Sequence, residues 1–393
     1  MTITRVVTTA ESPFAAQSSS PATLGRSLAA LGQEQPVVHD QLMAAPVVLR
    51  HKDVSAALRN AATFSTAFYG TPPLETSMIA QHGAEHARQR RIHNRFFSPA
   101  ASARYAERVR TVARDAVGKL AGRTDAELMA DMIARYPMAV FLDLLGIPDD
   151  LGDQGLAWVR AVVTWLGSPM DEEAAEHGRQ AYQQLRAATD TLVDPDNVGD
   201  NLLGEVVRAH LEEGGFSVDA CTVAVVNLLL GGLETTIQML SGTLASLLLN
   251  PAALAVVRAD HARIGDAIDE AFRWANPSAG LYRLLTEDTE IAGTPLLAGS
   301  MVYLCIAAAH YDSAAHRDPE LFDLDRRSPH LGFGLGPHYC VGAPLARIEV
   351  HEAMAALLDE FPNLRLDPDR PPTFRYGARG FVQHGTEALN VLL

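Results

Sequence analysis

The chain is predicted to be mainly α-helical with a small β-rich side, and three observations carry that expectation. From about Ala84 to Leu249, amphipathic helical spacing recurs with few β-prone runs. After Asn276-Pro277 the texture changes to short β-prone pieces, and helical spacing returns at Ala343 to Glu360. No internal repeat or composition shift marks a second domain, so one domain over 23–393 is expected behind a loose N-terminal arm over 1–22.

In chain order, Glu11 to Ala22 is a polar, small-residue segment suited to an entry arm. Val37-Val38 and Ala45 to Leu49 are β-prone, and Lys52 to Arg59 has helical spacing. The helical stretch is interrupted at Ser98-Pro99, Ile147-Pro148-Asp149-Asp150, Ser168-Pro169, Asp194-Pro195-Asp196 and Glu213-Gly214-Gly215, each a turn or breaker signal. Strands are expected at Leu281 to Leu284, Thr289 to Ile291 and Met301 to Leu304, with a terminal pair at Thr373 to Tyr376 and Ala388 to Leu392.

Composition narrows the class. With 393 residues, 48% hydrophobic and 20% charged, the chain has ample material for a core. A formal net charge of −15 excludes general nucleic-acid binding and docking on anionic membranes. One local exception lies between Gln81 and Ala100, where Glu85 stands alone against Arg88, Arg90, Arg91 and Arg95, a pattern that fits a solvated helix face. The widely spaced Cys221, Cys305 and Cys340 suit neither a disulfide framework nor a structural zinc site, and fit a reducing cytoplasm. Met1 to Ala10 lacks the basic start and continuous apolar run of a secretory signal.

Cys221 to Leu249 contains a single formal charge, Glu234. A membrane span needs only ~20 apolar residues, yet an acid near the middle of one would cost roughly 2.5–3.5 kcal/mol. A helix buried through the middle of a large protein is the better expectation.

The chemistry is concentrated near the C-terminus. Phe333-Gly334-Leu335-Gly336-Pro337-His338-Tyr339-Cys340-Val341-Gly342 sets a lone cysteine in a glycine-dense loop ahead of a strong helix pattern. Glycines let backbone N–H groups approach the sulfur, and the following helix offers its positive end, so both favour a thiolate. These residues spell F-x-x-G-x-H-x-C-x-G, which resembles the haem-binding loop of the cytochrome P450 family. Three further stretches match in the family's order. Gly231-Gly232-Leu233-Glu234-Thr235-Thr236 resembles its distal-helix signature, Glu270-Ala271-Phe272-Arg273 its E-x-x-R pair, and Glu85-His86-Ala87-Arg88-Gln89-Arg90-Arg91 its E-H-x-R-x-x-R pattern.

The resemblance, which covers roughly Val47 to Leu393, implies a soluble bacterial-type haem-thiolate monooxygenase with haem b, its iron ligated by Cys340, and dioxygen as co-substrate. It implies that Thr235 and Glu234 deliver protons for O–O cleavage, and that His86, Arg90, Arg283 and His338 hold the haem propionates. Phe333 and Gly342 belong to the haem loop, and Gly231 lets the flat cofactor press on the helix, an explanation that serves Gly232 equally. Glu270 and Arg273 form a buried structural pair. The cavity is expected to be lined by Tyr69 to Ile79, the Trp165 region, Asn227 to Thr235, Ser278 to Tyr282 and Phe381-Val382, with Tyr69, Leu281, Phe381 and Asn227 as substrate contacts. Asn227 shares a helix face with Gly231 and Thr235, a placement that equally suits a helix–helix contact.

The implied partners are a small organic substrate of secondary metabolism and, because no flavin or nicotinamide motif is visible, a separate ferredoxin and ferredoxin reductase. The arginine-rich stretch then has a second reading, as the docking surface for an acidic electron donor. Neither nucleic acid nor membrane is expected, and the protein should be a cytoplasmic monomer. Epoxidation, coupling or nitration on the same haem, and a haem sensor or carrier without turnover, stay open as alternatives. His82 and His93 have no place in the pattern and are expected at the surface. Three departures stand out. His82-Gly83-Ala84 replaces the family's Asp-Pro-Pro, the segment from Phe64 to His82 is short, and Ala309-His310-Tyr311-Asp312 stands where many relatives carry Ala-Asn-Arg-Asp, a change expected to alter only a structural hydrogen-bond set.

Overall fold

Val37–Asp40 and Ala45–Val48 form an antiparallel hairpin with Val37 opposite Val48, as two short β-branched runs around a turn should. In the computed structural model of the protein, which describes residues 5–15, 21–70, 74–147, 151–167, 171–196, 199–213, 216–375 and 385–393, this hairpin supplies the second and third strands of a six-stranded sheet. Its strand order is Val6–Val7, Val37–Asp40, Ala45–Val48, Met301–Leu304, Leu281–Leu285, Phe64–Ser65. Residues that the sequence reading places in one domain fall into two compact units, 1–69 with 241–340 and 366–390, and 70–240 with 341–365 and 391–393.

The first unit holds that sheet. Helix His51–Arg59 buries Val54, Ala57 and Leu58, the i, i+3, i+4 stripe that its sequence presents. These pack with Val37, Val48, Phe64, Leu285, Val302, Leu304 and Leu331 into one core. The described part of the N-terminal arm is docked rather than loose. Val6–Val7 pairs in parallel with the hairpin, Ser12 Oγ donates to Asp40 Oδ2 at 2.7 Å, and Phe14 is buried edge-on to Tyr303 at 5.8 Å. A polar composition masked these anchors, because two valines and one phenylalanine suffice to tie down a short segment. Helix Pro21–Glu34, for which no expectation was drawn, buries Leu24 and Leu28.

The second unit is helical, and side-chain caps mark its breaks. Ser98, Asp171 and Asn201 accept from the backbone N–H groups of Ala101, Ala174 and Gly204, at the starts of Pro99–Ala103, Glu172–Asp190 and Leu202–Glu212. Helix Tyr136–Leu145 ends on Gly146 at φ 71°, with Ile147 N–H donating to Leu142 O, a left-handed stop open to glycine. Among the described residues of this stretch, the one short strand is Asp125–Glu127, with Ala126 fully buried.

Helix Val218–Leu249 is apolar and long enough to cross a membrane, and two-thirds of its most apolar stretch lies buried inside the protein. Of its paired glycines, Gly232 is explained differently from the expectation. A Cβ there would sit 2.5 Å from the ring of Phe141, so this glycine makes room for a packed aromatic and not for a cofactor. A Cβ on Gly231 would meet nothing within 4 Å. Gly232→Ala is therefore expected to lose about 1–2 kcal/mol, overpacking outweighing helix propensity, and Phe141→Leu should restore the loss in thermal unfolding of the double variant.

Candidate active site

In the first unit the cysteine loop is shaped by backbone it cannot avoid. Gly334 and Gly336 lie at φ 71° and 75°, and a Cβ on Gly336 would stand 2.8 Å from Leu58 O and 3.0 Å from Arg59 Cα. Gly334 N–H donates to Leu331 O at 2.8 Å, and Cys340 N–H to Phe333 O at 2.9 Å, closing the loop on itself. Phe333 stacks on Phe272 with ring centroids 4.4 Å apart. His338, in the short turn Gly336–His338, brings Nε2 to 3.4 Å from Thr66 Oγ1. Cys340 is exposed, whereas Cys221 and Cys305 are buried. Burial alone pushes the Cys221 thiol up to about 11, and it is the largest cause lifting Cys305 to about 12, so neither supplies a thiolate at neutral pH.

Beneath the loop lies a buried ionic group. Glu270 accepts from Arg273 Nε and Nη2 at 2.9 and 2.7 Å, and from Arg326 Nε at 3.1 and 3.0 Å. Arg273 also donates to the carbonyls of His310, Pro319 and Leu321, at 3.0, 2.8 and 3.0 Å. Arg326 is the member that sequence reasoning missed, since nothing local distinguishes it among Asp325-Arg326-Arg327. Phe272 lay inside the quoted motif, but its role shows only through the stack on Phe333.

Arg283 sits on strand Leu281–Leu285, opposite Val302, and is 5% exposed. Its Nη1 donates to Tyr282 O at 2.8 Å, and it makes no ion pair among the described residues. A buried guanidinium of this kind calls for an anionic ligand group. Tyr69 is buried close enough for Arg283 to act on its hydroxyl, and Leu281 is half-buried against the core. Phe381 lies outside the described residues.

In the second unit, Thr235 Oγ1 donates to Gly231 O at 2.6 Å, the back-bond that opens a helix turn. Glu234 does not bond Thr235. Its Oε1 accepts from Gln238 at 3.2 Å and its Oε2 lies 3.7 Å from Arg160 Nε, a pairing that no local pattern announced. Asn227 Oδ1 is buried with no hydrogen-bond partner among the described residues. His86 is buried, burial lowering its pKa with Arg90 adding to the effect, so it is a neutral donor at pH 7. Gly342 opens helix Ala343–Glu360 at φ −80°, an ordinary backbone angle.

Two expectations about this region change. His82 is exposed, but His93 is buried, its Nδ1 2.8 Å from Gln89 O and its ring against Phe96. Position 93 falls on the inner face of helix Gly83–Phe97, alongside Ile92, Phe96 and Phe97. The basic patch is also less charged than its sequence implies. Arg88 pairs with Glu85 at 2.6 Å, Arg91 lies 3.9 Å from Glu213, and Arg95 pairs with Glu212. Two of these acids stand at the C-terminal end of helix Leu202–Glu212, more than a hundred positions away.

Residues 169–388 match the family model of cytochrome P450. The chain is 36% identical to the C-19 steroid 1alpha-hydroxylase of Sorangium cellulosum, over 97% of this chain and 98% of that one. It is 34% identical to the steroid C26-monooxygenase of Mycobacterium tuberculosis, over 65% of this chain and 71% of that one. The solved structure of cytochrome P450 260B1 from Sorangium cellulosum superposes with a TM-score of 0.93 at 36% identity, covering 100% of both chains. The chain belongs to the cytochrome P450 family. It is therefore a haem-thiolate monooxygenase that uses dioxygen on a small-molecule substrate and depends on a redox partner.

Proposed function

We propose that this chain hydroxylates an apolar polycyclic substrate of the steroid class, with Cys340 as the thiolate ligand of haem b. One observation carries the ligand assignment: Cys340 is the exposed cysteine, at the end of a loop braced by buried groups, while the other two thiols are held neutral by burial. The site's chemistry fits a haem. Arg283, buried and without an ion pair among the described residues, suits a propionate, and Gly231 leaves open space where a side chain would intrude. His338, His86 and Arg90 complete the proposed propionate donors, with Phe333 and Gly342 framing the ligand loop. When bound, the haem supplies dioxygen activation with two electrons delivered from outside.

The chain's own residues supply the rest. Thr235 Oγ1 holds its proton on Gly231 O, and the hydroxyl would be the proton donor toward a bound haem. Glu234, turned toward Arg160 and Gln238, takes protons at Oε2 and relays them to Thr235 by moving between the two. Asn227, with its unpartnered Oδ1, and Tyr69 and Leu281 are the proposed substrate contacts; Phe381 is proposed on sequence alone. The likeness to a steroid 1alpha-hydroxylase and a steroid C26-monooxygenase supports the substrate class. Ferredoxin and its reductase are the proposed electron source, and a soluble cytoplasmic monomer the proposed state.

The test is the carbon monoxide difference spectrum of the reduced, haem-loaded protein beside Cys340→Ala, followed by titration with steroids. A strongly red-shifted Soret band that is lost in the variant, and a substrate-induced Soret shift with a steroid, are expected. Persistence of the band in Cys340→Ala would sink the ligand assignment, and a flat response to every steroid would sink the substrate class. Gly231→Ala separates fold from cofactor: in haem-free protein it should gain about 0.5–1 kcal/mol of stability, yet the haem retained per chain should fall at least severalfold.

A further inference from the structure

Among the ties that hold the cysteine loop to the rest of the first unit is a buried hydrogen bond to an imidazole. Leu331 N–H donates to His310 Nε2 at 2.8 Å, between groups that are both buried. Nε2 must then carry the lone pair, which places the ring proton on Nδ1. Leu331 O in turn accepts Gly334 N–H, and Phe333 O accepts Cys340 N–H, so a short run of hydrogen bonds leads from His310 to the backbone of the cysteine. The same segment is pinned by side chains, with Leu331 in the core and Phe333 on Phe272.

We propose that His310 is a positioning residue that latches the Cys340 loop through the Leu331 amide, and that acid releases the latch. Protonation converts Nε2 from acceptor to donor and sets two N–H groups against each other across nitrogens only 2.8 Å apart. The surroundings offer the resulting cation no counter-charge. Rings of His330 and His316 lie 6.3 and 6.2 Å away, Arg273 Nη1 sits on the His310 carbonyl at 3.0 Å, and His51 packs on the far side of His316 at 5.3 Å. Of the nearby acids, Glu270 is held by Arg273 and Arg326, Asp269 lies 3.3 Å from His330 Nε2, and Asp312 accepts the backbone N–H groups of His51 and Ala314. His310 Nδ1 has no hydrogen-bond partner among the described residues. Burial and this basic company both push the His310 pKa well below its ordinary value, so the imidazole stays neutral while the loop is closed. Once the loop opens, the ring regains an ordinary pKa near about 6.5, and each pH unit below that favours the open form by about tenfold.

The proposal rests on the reading of Cys340 as haem ligand only for its spectral consequence, so two readouts are used on the full-length, haem-loaded protein. Amide hydrogen exchange over residues 331–340, corrected for intrinsic rates, reads the latch itself, and the carbon monoxide difference band reads the thiolate. In the wild type, loop protection should fall about tenfold per pH unit below about 6.5, with the red-shifted band lost in parallel. His310→Gln keeps an acceptor at the reach of Nε2 without titrating, and should keep both protection and band at least one pH unit further into acid. His310→Leu should show a weakly protected loop at every pH. A His310→Gln variant with the wild-type acid profile overturns the proposal, as does a His310→Leu variant with full protection; should the leucine variant fail to fold, the glutamine variant decides alone. If exchange behaves as described and no red-shifted band is seen at any pH, the latch stands and the ligand assignment fails.

Discussion

Glu270→Gln should destabilise the folded protein by about 3–5 kcal/mol, the largest single-site effect expected outside the ligand itself. The substitution keeps shape and hydrogen-bonding reach but removes the one charge that neutralises two buried guanidiniums, Arg273 and Arg326. Their remaining acceptors are backbone carbonyls, those of His310, Arg317, Asp318, Pro319 and Leu321, all within 3.2 Å, which satisfy N–H groups without compensating charge. The group spans Glu270 and Arg273 on one helix, and Arg326 with the chain around Pro319 to Asp323, so its loss loosens the approach to the cysteine loop as well. The midpoint of chemical denaturation, compared with Glu270→Asp and with an Arg273→Met/Glu270→Leu double variant, checks this. A cost below about 1 kcal/mol for Glu270→Gln would mean that the carbonyls suffice. Recovery in the apolar double variant would show that the ions specify geometry more than they stabilise it.

The second large effect is an acid limb in stability that begins near neutrality. His316 is pushed down to about 3 and His93 to about 4, in each case chiefly by burial, and His310 lies well below its ordinary value. A histidine near 6.5 when unfolded and depressed when folded stabilises fully above pH ~6.5, and its contribution is lost as pH falls toward the folded value. The unfolded chain then takes up three protons that the folded chain refuses. Glu349 acts in the opposite sense. Fully buried, its carboxyl is raised well above the usual range, so the folded chain keeps one proton that the unfolded chain releases above pH ~4.3. From these four groups the net uptake on unfolding reaches about two protons near pH 5, a slope of about 2.7 kcal/mol per pH unit, and His51 and His86, also lowered by burial, act in the same sense as the other histidines. Glu349→Gln should steepen the limb to about 4 kcal/mol per pH unit and flatten the alkaline side. Urea unfolding at half-unit pH steps measures both slopes, and a limb starting only below pH ~4.5 would point to surface carboxylates instead.

Local signals decided much about this chain. The glycine-dense setting of Cys340, the one charge in a long apolar run at Glu234, the breaker pairs between helices and the β-prone runs at residues 37–38 and 301–304 each act over a few positions, where steric freedom, hydrogen-bonding groups and periodicity are written directly in residue order. They sufficed for the mainly α class and the family. What the sequence left undecided depends on which distant groups meet. Phe141 explains Gly232, Arg326 completes the group around Glu270, Arg160 draws Glu234 away from Thr235, Glu212 and Glu213 neutralise half of an apparent basic patch, and Phe14 docks a segment that reads as a loose arm. His310 is the sharpest case. As a residue type it departs from the family pattern, and only the fold sets its ring nitrogen against the Leu331 amide. Burial and pairing are properties of separation in space, and desolvation sets pKa values by that separation, so neither the neutral state of His310 and Glu349 nor the buried charge of Arg283 exists until the chain is folded.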